Sequence, residues 1–205
     1  AMASPFIAAL DACVDAGFTD EIAFLSELVR VPTDTPPGDN AAHAARTAEL
    51  LEAMGLAVER HPVPRAEVEA AGLVAVTNLI VRRRFGDGPA IALNAHGDVV
   101  PPGEGWTRPP YDGVVENGRM YGRGVAVSKS DFATYTFALR ALETVARERG
   151  VALAGAVELH FTYDEEFGGA LGPAWLLRHG LTRPDLALCA GFSYAVVNAH
   201  NGCLQ

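Results

Sequence analysis

Pro89 to Asp98 reads PAIALNAHGD, and this stretch decides the fold. An apolar run through Ile91, Ala92, Leu93 and Ala95 breaks off at His96-Gly97-Asp98. Such a run reads as a strand that delivers His96 and Asp98 to a sheet's carboxyl edge, where α/β folds place their sites. Val157 to Gly169 (VELHFTYDEEFGG) repeats the pattern and ends in Asp164-Glu165-Glu166. Between the two lies Tyr121-Gly122-Arg123-Gly124.

Working outward, helices and strands alternate, which argues for an α/β sandwich around a mixed sheet. Asp20–Val31 reads as an amphipathic helix stopped by Pro32, and Asn40–Met54 as a second, ended by Gly55. Leu56–Val63 alternates like a strand. Leu73–Arg82 and Pro89–Asn94 are two strands whose polar connection, Arg83–Gly88, suits a hairpin. Pro101–Arg123 is long, rich in Gly and Pro, and expected to be mostly irregular and functional. Asp131–Arg149 carries Phe132, Tyr135, Leu139, Leu142 and Val145 at helical spacing. Ala154–Tyr163 is a strand, Leu171–His179 a short helix, Pro184–Ala190 another strand, and Ala195–Leu204 the start of one more.

His96 and Asp98 project from the same side of an extended segment. Asp98 can then accept the second ring N–H of His96 and fix its tautomer. Adjacent glutamates at a strand end diverge, so one can ligate a metal while the other faces its water. Standing alone, the first motif also fits a hydrogen-bonded histidine and the second a solvated acidic turn; two strand-end signals in one chain favour a shared site. Gly122–Ser130 is not a phosphate loop, because Ser128 stands where Gly must precede the lysine and Arg123 where a glycine is needed five residues earlier. His43, His61, His160, His179 and His200 read as ordinary structural or surface histidines.

The 205 residues suffice for one sizeable domain. Hydrophobic residues make up 49% and charged residues 20%, a globular rather than a disordered balance. A net charge of −9 with no basic stripe makes nucleic acid and anionic membranes poor partners. Cys13, Cys189 and Cys203 are scattered, which argues against a cysteine zinc site or a disulfide framework and suits a reducing, cytoplasmic compartment. Ala1-Met2-Ala3 resembles a cloning scar, and Pro5–Gly17 lacks the basic start of a signal peptide.

The order of motifs resembles the co-catalytic zinc peptidases and deacylases of the aminoacylase, acetylornithine deacetylase, succinyl-diaminopimelate desuccinylase and carboxypeptidase G group. The resemblance rests on Phe24-Leu25, Pro36-Pro37-Gly38-Asp39, His96-Gly97-Asp98-Val99-Val100-Pro101, Trp106 and Pro109-Pro110-Tyr111. It continues through Gly118–Gly124, Asp164-Glu165-Glu166 and Ala199-His200-Asn201-Gly202. It implies a three-layer α/β sandwich with a mixed, mostly parallel central sheet flanked by helices. It implies His96 as a zinc ligand, Asp98 as its orienting partner, Glu165 as the general base and Glu166 as a ligand of a second zinc. The implied substrate is a small N-acyl amino acid or peptide, hydrolysed at its amide bond.

The chain also departs from the pattern. Val127 stands where the group places an aspartate that bridges both zincs, and Gly191 where a further acidic ligand is expected. Two dications about 3.5–4 Å apart repel by roughly 17–19 kcal/mol at an effective dielectric near 20, and a bridging carboxylate is the usual offset. Asp131 is the nearest substitute, with an N-terminal helix cap as its simpler role.

The resemblance further implies that residues 4–205 are the N-terminal portion of a catalytic domain. The lid or dimerisation domain and the last histidine ligand then lie elsewhere, the chain alone is inactive, and its open edge pairs with a second copy or the missing half. The competing expectation is a non-catalytic member that has lost its dinuclear site and binds a ligand or partner. A third has one metal or a rearranged ligand set. Zn2+, one ion or two in the full-length group, is the implied cofactor, and the second expectation has none.

Overall fold

The computed structural model describes residues 4–189, together with the backbone of 197–199 and 202–204. Its centre is a five-stranded sheet built from β1 (Glu59–Pro62), β2 (Thr77–Arg84), β3 (Ala90–His96), β6 (Ala156–Thr162) and β7 (Leu186–Cys189). The spatial order is β1-β2-β6-β3-β7. β3 runs parallel to both β6 and β7, while β1–β2 and β2–β6 pair antiparallel. The sheet is mixed and its middle strands are parallel, as the motif order implied.

The sheet separates two helical layers. On one side lie α1 (Pro5–Val29), α2 (Ala41–Ala53) and α4 (Lys129–Arg149). Leu159 and Phe161 of β6 are fully buried on this side, and Phe161 stacks on Phe132 of α4 at 4.3 Å between ring centroids. On the other side is α5 (Pro173–Arg178), whose Pro173 and Leu177 line one cavity with Ala92, Asn94 and His160. Alternation along β3 and β6 assigns odd and even residues to opposite layers. Among the described residues no helix is long and apolar enough to cross a membrane.

Two sequence expectations need correction. The first helix starts at Pro5, not Asp20, because Ser4 Oγ accepts the Ile7 N–H and Pro5 occupies the first turn. The expected hairpin between the second and third strands does not form, because β6 is inserted between them. Their connection wraps the start of β6 instead: Phe85 N–H donates to Gly155 O, Gly155 N–H to Asp87 O, and Ala156 N–H to Pro89 O. Gly155 has φ +75, and a Cβ there would sit 2.4 Å from Pro89 O. The long Pro101–Arg123 segment carries a small hairpin, β4 (Val114–Glu116) with β5 (Arg119–Tyr121).

The sequence reading also passes over α3 (Arg65–Ala70), a single short helix that buries Val68. The last expected strand is a two-stranded hairpin, β8 (Val197–Ala199) with β9 (Gly202–Leu204). Gly191 and His200 lie outside the described residues.

Candidate metal centre

The parallel pairing of β3 and β6 sets His96 opposite Thr162, so the two motif-bearing loops leave the sheet side by side. His96 is buried, and its Nδ1 lies 2.9 Å from the backbone carbonyl of Asp98. A carbonyl only accepts, so Nδ1 carries the proton and a neutral ring presents its lone pair on Nε2. The Asp98 carboxylate stands behind, with Oδ1 3.4 Å from Nδ1. The tautomer is therefore set by the Asp98 carbonyl, with the carboxylate in support.

Asp98 is fully buried, and its Oδ2 accepts the Glu166 backbone N–H at 3.0 Å. Its Oδ1 has no hydrogen-bond partner. Burial alone raises this carboxyl, but His96 and the Glu166 amide outweigh it and hold Asp98 below the ordinary value. For His96 burial acts downward and Asp98 with Glu165 upward, and the net direction is up.

The turn between His96 and Asp98 is made possible by Gly97. A Cβ there would lie 2.5 Å from the Tyr163 ring, 3.0 Å from Phe132 and 3.2 Å from His43. Gly97 N–H donates to Thr162 O, and Thr33 Oγ1 donates to Gly97 O at 2.6 Å. Beneath the turn, His43 Nδ1 and the Tyr163 hydroxyl are 2.8 Å apart, and both residues are fully buried.

The acidic loop is a single 3-10 turn, Glu165–Phe167. Asp164 enters it at φ +107, a conformation that non-glycine residues rarely adopt. The strain is held by the Asp164 carboxylate, which accepts the Leu171 N–H at 2.5 Å, and by its carbonyl, which accepts the Gly169 N–H at 2.7 Å. Glu165 and Glu166 then stand exposed above His96. His96 Nε2 is 3.8 Å from Glu165 Oε2. One ligand atom from each of His96, Glu165 and Glu166 lies within 4.8 Å of the others, and among the described residues no other such trio of His, Cys, Asp or Glu exists.

Asp131 is outside that trio. It sits in the first turn of α4 and accepts Ser128 Oγ at 2.9 Å. Val127, half-buried, offers no donor atom. Sequence reasoning missed three supports: the buried His43–Tyr163 pair, Asp164, and Lys129. Lys129 is fully buried, its Nζ donates to Val31 O at 2.8 Å and lies 3.4 Å from Leu28 O, and burial pulls its pKa down to about 7. The break in regularity at Gly122–Ser130 was the one signal near it.

One imidazole nitrogen and one carboxylate suit a divalent cation as two of the three protein ligands that a catalytic zinc site uses, with the second carboxylate close enough to face the ion's water. The unpartnered, buried Asp98 Oδ1 beside His96 fits a ring polarised by a cation on its far side. The same trio is too small for two ions, so among the described residues the fit is to one.

Residues 92–201, 110 of the 205, match the family described as Peptidase family M20/M25/M40. The chain belongs to this family. Among M20/M25/M40 relatives, the succinyl-diaminopimelate desuccinylase of Gluconobacter oxydans is 38% identical over 169 residues, 79% of this chain and 40% of that protein. The succinyl-diaminopimelate desuccinylase of Methylobacterium sp. is 39% identical over 166 residues, 80% of this chain and 39% of that protein. The chain thus spans about two fifths of the length of these relatives.

Solved structures carry the fold at lower identity. The M20 family metallo-carboxypeptidase of Sulfolobus solfataricus aligns with a TM-score of 0.68 at 20% identity, covering 84% of this chain and 37% of that one. Human carnosine dipeptidase 1 aligns at 0.65 and 18% identity, covering 92% and 41%.

Proposed function

We propose that this chain carries the part of a metal-dependent amide hydrolase that holds a divalent cation and the catalytic base. The observation that supports it most is the convergence of His96, Glu165 and Glu166 at the carboxyl ends of two parallel strands, with the donor atoms within 4.8 Å. In this reading His96 Nε2 and Glu166 are the donors, and the ion is zinc. When bound, the ion supplies Lewis-acid polarisation of an amide carbonyl and makes a water more acidic. Glu165, an exposed carboxylate 3.8 Å from His96 Nε2, takes the proton from the attacking water at Oε2 and returns it to the leaving amine. Asp98 keeps His96 in the tautomer that frees Nε2.

The substrate class is a small N-acyl amino acid or peptide, supported by the desuccinylase relatives and the dipeptidase fold neighbour. Completion of the site by residues beyond this chain, or by a second copy, belongs to the same proposal. Val127 favours a second reading, a member that binds a ligand or partner without hydrolysis, because it stands where the resembled group places a bridging aspartate. A Glu165→Gln variant separates the two. In a form of the protein that turns over substrate, it should lower kcat by about 10²–10⁴-fold with metal content unchanged. Unchanged turnover refutes Glu165 as the base, and loss of metal makes Glu165 a ligand instead.

A further inference from the structure

Lys129 is a fully buried cation that makes no salt bridge among the described residues. Its ammonium donates to the Val31 carbonyl at 2.8 Å, lies 3.4 Å from the Leu28 carbonyl and 5.9 Å from the Tyr111 ring centroid, and feels the Asp34 and Asp98 carboxylates without a direct ion pair to either. A charge taken out of water with so little compensation is costly to keep. What it holds is specific. Leu28 and Val31 are the end and exit of α1, and the chain runs from there straight into Thr33–Thr35.

That segment clamps the metal-site turn on both sides of Asp98. Thr33 Oγ1 donates to Gly97 O at 2.6 Å, Val99 N–H to Thr33 O at 3.1 Å, and Thr35 N–H to Val99 O at 2.8 Å. Asp34 and Val99 form an isolated parallel bridge. The stem of Lys129 closes the arrangement from the other side: a Cβ on Gly124 would sit 3.1 Å from both Lys129 Cδ and Val99 Cγ1. We propose that Lys129 is a positioning residue for the His96–Asp98 turn: its ammonium fixes the exit of α1, and residues 31–35 pass that restraint to Gly97 and Val99. The inference rests on the reading of His96 and Glu166 as cation donors.

The test uses the chain itself, Lys129→Met, Thr33→Val and the double variant, with Co2+ as probe. Two readouts are taken: Co2+ affinity with its visible absorption, and the ring 15N shifts of His96 without metal. Lys129→Met should weaken Co2+ binding about tenfold or more, the scale seen for residues that orient ligands from outside. It should also move the His96 Nδ1 signal. Thr33→Val should do the same, and the double variant should be no weaker than the weaker single, because both cut one path.

Wild-type affinity and unshifted His96 signals in folded Lys129→Met overturn the proposal, whatever that variant loses in stability. If Lys129→Met does not fold, Lys129→Gln takes its place with the same outcomes. If the wild-type chain takes up no Co2+, the donor reading fails, and the His96 shifts alone decide the role of Lys129.

Discussion

His43 has no contact with water, and burial, seconded by the charge of Lys129, keeps its pKa well below 6.5. In the unfolded chain the same ring takes up a proton near 6.5. The stability it contributes is therefore complete above 6.5 and is lost as pH falls towards its depressed folded value. One proton is worth about 1.4 kcal/mol per pH unit. Against a His43→Gln variant, the wild-type chain should lose about 1 kcal/mol more between pH 7 and 5.5 by denaturant unfolding. A parallel loss in both proteins would place the pH sensitivity elsewhere. In sequence His43 is one histidine on a helix, with no spacing partner to mark it. Its partners Tyr163 and Lys129 are 120 and 86 residues away, a relation that only folding creates. By contrast His96, Glu165 and Glu166 were legible, because each ends an apolar strand and carries its chemistry in adjacent letters.

The elements that carry the site are tight where they turn. Gly97 has three aromatic rings within 3.2 Å of where a Cβ would stand, none of them free to move in a close-packed core. Gly97→Ala should cost about 1–3 kcal/mol by overpacking and displace Asp98. Thermal unfolding measures the first effect and the His96 ring signals the second; an alanine variant as stable as wild type would mean the turn relaxes freely. Periodicity identified β3, β6 and α4 because each buries one face against a neighbour. It misplaced the β2–β3 connection because local pattern does not register a strand inserted from 70 residues later. It also started α1 late: Phe6, Leu10, Cys13 and Val14 recur at helical spacing but are only half-buried, while the fully packed residues Phe24, Leu25, Leu28 and Val29 lie in the last turns.

At the scale of the molecule, β7 ends the sheet at one edge among the described residues. Leu186 and Leu188 of β7 are 60% and 57% exposed, and Ile91 beside them on β3 is 37% exposed. An apolar row on an edge strand is a pairing surface. The chain should self-associate in sedimentation velocity, and Leu188→Lys should shift it towards monomer; a wild-type chain that stays monomeric as concentration rises contradicts this. The fold class was legible from the alternation of strands and helices, while the strand that ends the sheet was not, since Pro184–Ala190 reads as a strand without naming its neighbour. His96 and Glu166 as donors, with Glu165 beside them as base, carry the proposed chemistry. Zinc titration by calorimetry, on the chain and on His96→Ala, tests it directly: the account predicts one ion bound by the wild type and none by the variant, and equal binding by both, or by neither, would contradict it.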